Sequence, residues 1–430
     1  MYIDNNENAF KESLIDEEPL IDEDDKQLLA DKLVTLFKTS QQMHIGEYFT
    51  SIQDLFRQFD INIDYEKKPL KDIKNILLIQ LEHIGDLVLT SGLIREIRSN
   101  YPEANITFIG TTQNIDIVKY CPYINESIAI DTNKYISFDE ITRFCQENLW
   151  NKQFDLSIHC GWEYNSIAVM LGLLAGAKQR IGYRSDMYDK YCYDLVYDHN
   201  NEKRILDQYF YTWILDTPFD MYSEVERKFF ILTSLGLDIK SNKLECWYKD
   251  KFDLPGNKKK VAVITDASHK NAIYPFNKLK QALDQLESED VQFLLLGKEH
   301  IDIDLSNCSN KYLNLTGKTS IQELISILSQ VDTCIGPDTG PIHIAAVYGK
   351  PCLVISREAK DKSEDHPRYL STVKRFTPYQ TKSIILQPEN AIDDCKEKPT
   401  YGGCCHDDPH CITQITVDEI VQAYNQLQNM

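Results

Sequence analysis

The chain has 430 residues, 42% of them hydrophobic, and a formal net charge of −20. That length exceeds one compact core and suits two domains plus a smaller piece. The acidic balance excludes nucleic acid or an anionic membrane surface as the main partner, because long-range steering would be repulsive, although a local basic patch could still bind phosphate.

The first residues, MYIDNNENAF, carry neither the basic nor the apolar segment of a secretory signal. No apolar run approaches the ~20 residues needed to cross a bilayer. A cytoplasmic protein, at most peripheral at the inner membrane, is expected. Residues 1–70 begin acidic (LIDEEPLIDEDD) and then take helical spacing: Leu28, Leu29, Leu33, Leu36 and Phe37 recur at three- and four-residue steps, as do Ile52, Leu55, Phe56 and Phe59. This predicts a helical N-terminal appendage, bounded by the polar stretch EKKPLKD (66–72).

Short β-branched runs follow: NILLIQL (75–81), ITFIG (106–110), SIAI (127–130), FDLSIHC (154–160) and RIGY (180–183). Stretches of helical length separate them, such as DLVLTSGLIREIRSNY (86–101). Alternation of this kind means βαβ units and a parallel sheet. Residues 184–250 are aromatic and lack a clean period, and KLECWYKDKFDLPGNKKK reads as a linker. A second alternation follows, with KVAVIT (260–265), VQFLLLG (291–297), YLNLTG (312–317), TCIGPD (333–338), PCLVIS (351–356) and SIILQ (383–387). The fold class is therefore α/β: two doubly wound Rossmann-like domains, residues 71–250 and 251–430, facing a cleft. Ligands bind such sheets at the carboxyl ends of their strands. Nucleotide-sugar transferases of GT-B type have this architecture, as do periplasmic binding proteins, which the missing signal segment disfavours.

Three loops at those strand ends carry chemistry. In LLIQLEHIGDLVLTSGLIREI (77–97) a strand ends at Leu81, five residues turn, and Asp86 opens a helix. Asp86 either caps that helix or acts as a catalytic carboxylate; Gly85 lets the backbone pass close to a ligand. In CIGPDTGPIHIAAVYGKPCLVI (334–355), Pro341 suits a first helical turn. Asp338, Thr339 and Gly340 precede it, so free amides and a hydroxyl face the space above the sheet, a site fit for a diphosphate. His343, one turn on, either donates to that phosphate or is a satisfied core histidine. In ITDASHKNAIYPFNKLKQAL (264–283), Thr265, Ser268, His269 and Lys270 precede a helix near Pro275. Lys270 either neutralises a phosphate or is a solvated loop lysine. Glu299 lies where acidic residues often bind a ribose hydroxyl. The pair Asp302 and Asp304 forms a DxD match that the abundance of acidic residues explains without a metal.

Eight of the 12 cysteines stand singly. The other four, Cys395, Cys404, Cys405 and Cys411, cluster near the C-terminus with His406 and His410 interleaved. Four thiolates there could hold zinc or iron tetrahedrally, yet the spacing lacks the usual paired Cys-x2–4-Cys knuckle. The alternative is a reduced cluster with one or two buried thiols.

Together these stretches resemble the glycosyltransferase family 9 heptosyltransferases, which build the inner core of lipopolysaccharide. ILLIQLEHIGDLVLTSGLIREIRSNYP is similar to that family's opening strand, Gly-Asp turn and helix. CIGPDTGPIHIAAVYGKPCLVI is similar to its Asp-Thr-Gly-Pro-x-His loop, helix and strand, and CCHDDPHCITQITVDEIVQAY to a cysteine-bearing C-terminal segment. The resemblance covers about residues 73–425. It implies an inverting transferase of GT-B fold that uses an ADP-activated heptose and requires no cofactor for catalysis. Asp86 would be the general base, and Asp338, Thr339, Gly340 and His343 would hold the donor, with Thr265, Ser268, Lys270 and Glu299 as further donor contacts. The acceptor would be a lipid-linked oligosaccharide or a protein hydroxyl. Some related protein heptosyltransferases carry an iron site of four cysteines near the C-terminus, which makes a structural metal an implication of the resemblance. One departure stands out: where the family commonly places a lysine three residues before the proline of the first C-domain helix, this chain has Ala272, with Lys270 two residues further back. A catalytically silent nucleotide-sugar-binding protein is the reading of a different class.

Overall fold

The computed structural model describes residues 21–135, 137–161, 165–183, 209–216, 218, 221–249, 251–286, 290–302, 311–364, 371–396 and 406–430. Helix α1 (Glu23–Thr39) starts at Asp22, whose carboxylate accepts from the Asp25 amide, and has acidic residues in its first turn and Lys38 in its last. Helix α2 (Ile45–Arg57) turns Ile45, Tyr48, Phe49, Ile52, Leu55 and Phe56 inward. Leu28, predicted in the apolar stripe of α1, is instead 47% exposed. The buried stripe is centred on Leu29 and Leu33, and a neighbouring residue points about 100° away from it.

These helices do not stand apart from the rest of the chain. Phe37 stacks on Phe138 at 4.4 Å, and Phe49 stacks on Tyr209 at 4.8 Å. Their buried side chains form one core with Leu77 and Ile79 of the first sheet.

That sheet comprises β1 (Asn75–Gln80), β2 (Asn105–Thr111), β3 (Glu126–Ile130), β4 (Leu156–His159), β5 (Gln179–Tyr183) and β6 (Trp213–Leu215), all parallel, in the order β3-β2-β1-β4-β5-β6. Helices α3 (Ile84–Asn100), α4 (Phe138–Asn148) and α5 (Ser166–Leu174) connect its strands, and α6 (Glu224–Ser234) follows it. The described residues of the crossing to the second sheet have no regular structure, but Trp247, Tyr248, Phe252 and Leu254 pack against the core along the way.

The second sheet repeats the first. It contains β7 (Lys259–Ile264), β8 (Val291–Leu296), β9 (Tyr312–Asn314), β10 (Thr333–Gly336), β11 (Cys352–Ile355) and β12 (Ser383–Leu386), in the order β12-β11-β10-β7-β8-β9. Its helices are α7 (Phe276–Gln285), α8 (Ile321–Gln330), α9 (Gly340–Val347), α10 (Lys360–Glu364), α11 (Thr372–Arg375) and α12 (Val417–Asn429). In both sheets the strand order reverses beside the first strand, between β1 and β4 and between β7 and β10. Those two switch points are where such sheets bind ligands. A single apolar core joins the halves, with Leu87 and Ile94 of α3 and Ile342 and Ala345 of α9 among its members.

Two sequence expectations change here. Residues 184–250 looked irregular but contain β6 and α6. A three-residue edge strand is too short to show alternation. Helix α6 buries Glu224, Arg227 and Lys228 beside its apolar residues, so its inward face does not read as apolar. The second change is at the Gly-Asp turn, where α3 begins at Ile84 and Asp86 is its third residue rather than its first. Residues 1–20, all of 184–208 and the Asp304 half of the DxD match lie outside the described residues.

Candidate active site

The first switch point presents Asp86. Its carboxylate accepts from the His83 amide at 3.2 Å, so the capping role is real. Capping alone does not explain its surroundings. The residue is 8% exposed, and Thr90, one turn on, donates to its carbonyl at 2.7 Å and to Gln80 at 3.1 Å. Burial pushes the Asp86 carboxyl up to about 6. The negative charges of Glu224 and Glu82 push the same way, and Lys228 and Arg375 oppose them.

Those neighbours form a buried ionic network. Glu224 and Lys228 of α6 are fully buried and paired at 2.6 Å, and Lys228 also donates to the Cys160 carbonyl. The other Glu224 oxygen accepts from Arg375 Nε at 3.1 Å. Arg375 belongs to α11, so a charge from the second half of the chain completes the surroundings of Asp86. Sequence reading missed all three residues. The only available signal was a helix with charged residues at positions that must face inward, and this became visible only once α6 was placed.

The second switch point carries the loop after β10. Thr339 is the N-cap of α9, and Gly340 and Pro341 form its first turn, as Pro341 suggested. Among the described residues the Thr339 hydroxyl reaches its own loop, at 3.4 Å from the Pro337 carbonyl. His343 is 3% exposed, with Nε2 3.5 Å from an Asp338 oxygen, and its Nδ1 has no hydrogen-bond partner among the described residues. A core histidine with both nitrogens satisfied is not what is found.

Helices α3 and α9 meet at their N-termini. A Cβ on Gly340 would lie 2.7 Å from Ile84 Cγ2 and 3.1 Å from the Gly85 amide nitrogen, and one on Gly85 would lie 3.1 Å from His343 Cδ2. Asp86, Gly85, Gly340 and His343 are thus brought into one place. The loop after β7 is spread more widely. Thr265 is buried, and its hydroxyl donates to the Leu296 carbonyl at 3.1 Å. Ser268 and Lys270 are exposed, Lys270 opening a short turn that runs to Ala272. Asn271 in that turn receives Arg357 and donates to the His406 carbonyl at 2.7 Å. His269 is held below the usual imidazole range by partial burial and by the Arg357 and His83 charges. Glu299, after β8, is exposed.

Near the C-terminus, the His410 Nδ1 lies 3.6 Å from Cys395 Sγ and 3.5 Å from Cys411 Sγ. These three ligand atoms fall within 4.8 Å of one another. His406 stacks on His410 at 3.9 Å and pairs with Asp394 at 2.9 Å. Two thiols and an imidazole match the donor set that zinc and iron take. Cys404 and Cys405 lie outside the described residues. No disulfide occurs among the described cysteines.

Residues 142–363 match the family model of glycosyltransferase family 9 (heptosyltransferase). The chain belongs to this family. The match covers the β10 loop and begins after Asp86. Among relatives, lipooligosaccharide heptosyltransferase 2 of Haemophilus ducreyi is 21% identical over 363 residues, spanning 82% of this chain and 99% of its own length. Lipopolysaccharide heptosyltransferase 1 of Campylobacter coli is 23% identical over 297 residues, 65% of this chain and 83% of its own. In three dimensions the chain resembles a glycosyl transferase family 9 protein of Veillonella parvula, with a TM-score of 0.62 at 16% identity over 85% of this chain and 98% of that one. It also resembles the E. coli heptosyltransferase WaaC solved with ADP, with a TM-score of 0.57 at 12% identity over 82% and 99%. The fold is the GT-B fold of these enzymes. No helix among the described residues is long and apolar enough to cross a membrane.

Proposed function

We propose that this family 9 glycosyltransferase moves a heptose from an ADP-activated donor to an inner-core sugar of lipopolysaccharide, with inversion at the anomeric carbon. The observation that carries this reading is the buried Asp86 carboxylate beside the Gly85–Gly340 contact, where the N-termini of α3 and α9 converge. Asp86 takes the proton of the acceptor hydroxyl as its oxygen attacks the anomeric carbon from the face opposite ADP. The bond from that carbon to the diphosphate oxygen breaks, and its electron pair leaves with ADP. Negative charge then grows on the diphosphate beside the first turn of α9, where amide groups, the Thr339 hydroxyl and His343 can receive it. Those donors are fixed before the reaction, so the reading asks for no metal ion at the leaving group.

The first Rossmann-like domain (71–250) would hold the acceptor and the second (251–430) the donor, with helices α1 and α2 attached to the first. Lys270 and Arg357 flank the β7 loop and offer the positive charge that Ala272 lacks. The Cys395, His410 and Cys411 group would hold a structural iron or zinc, remote from the transferred sugar in role. A cytoplasmic enzyme working at the inner membrane surface fits a lipid-linked acceptor. Asp86→Asn tests the reading. It removes the base and keeps the shape, so turnover should fall roughly 100-fold or more while ADP-heptose affinity is retained. Equal loss of both would reduce Asp86 to a helix cap.

A further inference from the structure

A second carboxylate shares the first switch point with Asp86. Glu82 follows β1 and His159 ends β4, and the adjacency of these strands places His159 Nε2 3.7 Å from Glu82 Oε1. The far side of the imidazole is anchored, with Nδ1 3.0 Å from the Tyr211 hydroxyl. Glu82 is fixed as well: its carbonyl accepts from Asn114 at 2.7 Å, and its Oε2 accepts from Gln80. His159 is 3% exposed, and its Nε2 makes no hydrogen bond within the usual limits to any described residue.

Gly161 packs directly on the pair, while the Glu82 side chain stays 18% exposed. A Cβ there would collide with Glu82 Oε1 and would sit 2.6 Å from His159 Nε2. Glu82 Oε1 and His159 Nε2 therefore lie on the same side, both against the Gly161 backbone. Burial works against the Glu82 charge, but His159 and Lys228 outweigh it and hold the carboxyl below the usual range. An ionised carboxylate only accepts hydrogen bonds. It would take a neutral hydroxyl and repel a phosphate.

We propose that Glu82, oriented by His159, grips a second hydroxyl of the acceptor, next to the one that Asp86 deprotonates. Glu82 is then an acceptor-binding residue and His159 a positioning residue acting through it. The acceptor that fits is a sugar with neighbouring hydroxyls, because an isolated protein hydroxyl offers nothing for Glu82 to hold. This rests on Asp86 being the base of a glycosyl transfer.

The test uses the full chain, ADP-heptose, and a lipopolysaccharide core oligosaccharide lacking heptose as the probe acceptor, with ADP release followed against each substrate in turn. Glu82→Gln preserves shape and loses the charge. Acceptor KM should rise roughly 10- to 100-fold, the range for one hydrogen bond to a charged group, with donor KM unchanged. His159→Phe should raise acceptor KM in the same direction, and His159→Gln, whose amide can still donate to Glu82, should restore part of the loss. An unchanged acceptor KM in Glu82→Gln, or a donor KM that rises in step with it, would overturn the proposal. So would transfer to a serine-bearing polypeptide that is indifferent to Glu82→Gln. Failure of the underlying reading shows separately, as absence of ADP-heptose binding by the wild-type chain in calorimetry, and would overturn both.

Discussion

Gly340 opens α9 directly against Gly85 of α3, so closely that a Cβ on Gly340 would stand 3.1 Å from the Gly85 amide nitrogen. Each glycine comes from a different half of the chain, and each lies in the first turn of its helix. Their contact sets how near the Asp86 carboxylate in one half comes to the first turn of α9 in the other.

Gly340→Ala should therefore wedge the halves apart. Ile84 can yield only partly, and the Gly85 backbone cannot. Overpacking of this kind costs about 1–3 kcal/mol, so ADP-heptose should bind roughly tenfold more weakly. Small-angle scattering should show a larger radius of gyration, and an unchanged radius with unchanged affinity would mean the contact is incidental.

The titration of Asp86 gives a prediction with a definite sign. As the base it must be ionised, so kcat/KM should fall on the acid side with an apparent pKa of about 6. Removing a negative neighbour by Glu224→Gln should move that limb to lower pH, and removing a positive one by Arg375→Met should move it higher. The same group affects stability. Its folded pKa is raised above the ordinary 3.8, so its contribution is fully present below 3.8 and is lost as pH rises through about 6. Asp86→Asn should gain on wild type between pH 4 and pH 8 by up to ~3 kcal/mol, less the value of its capping bond. Urea midpoints across that range would show it, and a difference that does not vary with pH would contradict the assignment.

The N-terminal helices are predicted to be part of the first domain energetically as well as spatially. Phe49 is 1% exposed and packed against Tyr209 and Phe210. Phe49→Ala should cost about 3–5 kcal/mol of global stability. Thermal denaturation checks this, and a variant that loses only helical signal while keeping its main transition would make α1 and α2 a separate unit.

At the C-terminal cysteines, elemental analysis of the purified chain should find zinc or iron near stoichiometry. Cys395→Ser with Cys411→Ser should remove it and lower the melting temperature, with ADP-heptose affinity less affected. Metal-free wild-type protein of unchanged stability would leave the three side chains as a reduced cluster.

Much of this architecture was legible because its determinants are local. NILLIQL and VQFLLLG are apolar runs of strand length, and Pro341 marks a helix start by its missing amide hydrogen. Asp86 and His343 were readable as candidates for the same reason: a turn glycine or a Gly-Pro step beside a polar residue is a short-range pattern. What the sequence did not reveal is tertiary. Glu82 and His159 are 77 positions apart in number, and only the pairing of β1 with β4 joins them. Glu224, Lys228 and Arg375 satisfy one another's charges inside the protein, so nothing nearby in the chain announces them. Helix α6 went unseen because charged residues interrupt the apolar ones on its buried face.

The central claim is that the cleft recognises an ADP-activated heptose, and the most direct measurement is calorimetric titration of the purified chain with ADP-heptose alongside UDP- and GDP-sugars. The account predicts selective binding of the ADP sugar, roughly micromolar, about −8 kcal/mol, weakened in His343→Ala and retained in Asp86→Asn. No binding, or a preference for another nucleotide, would contradict it.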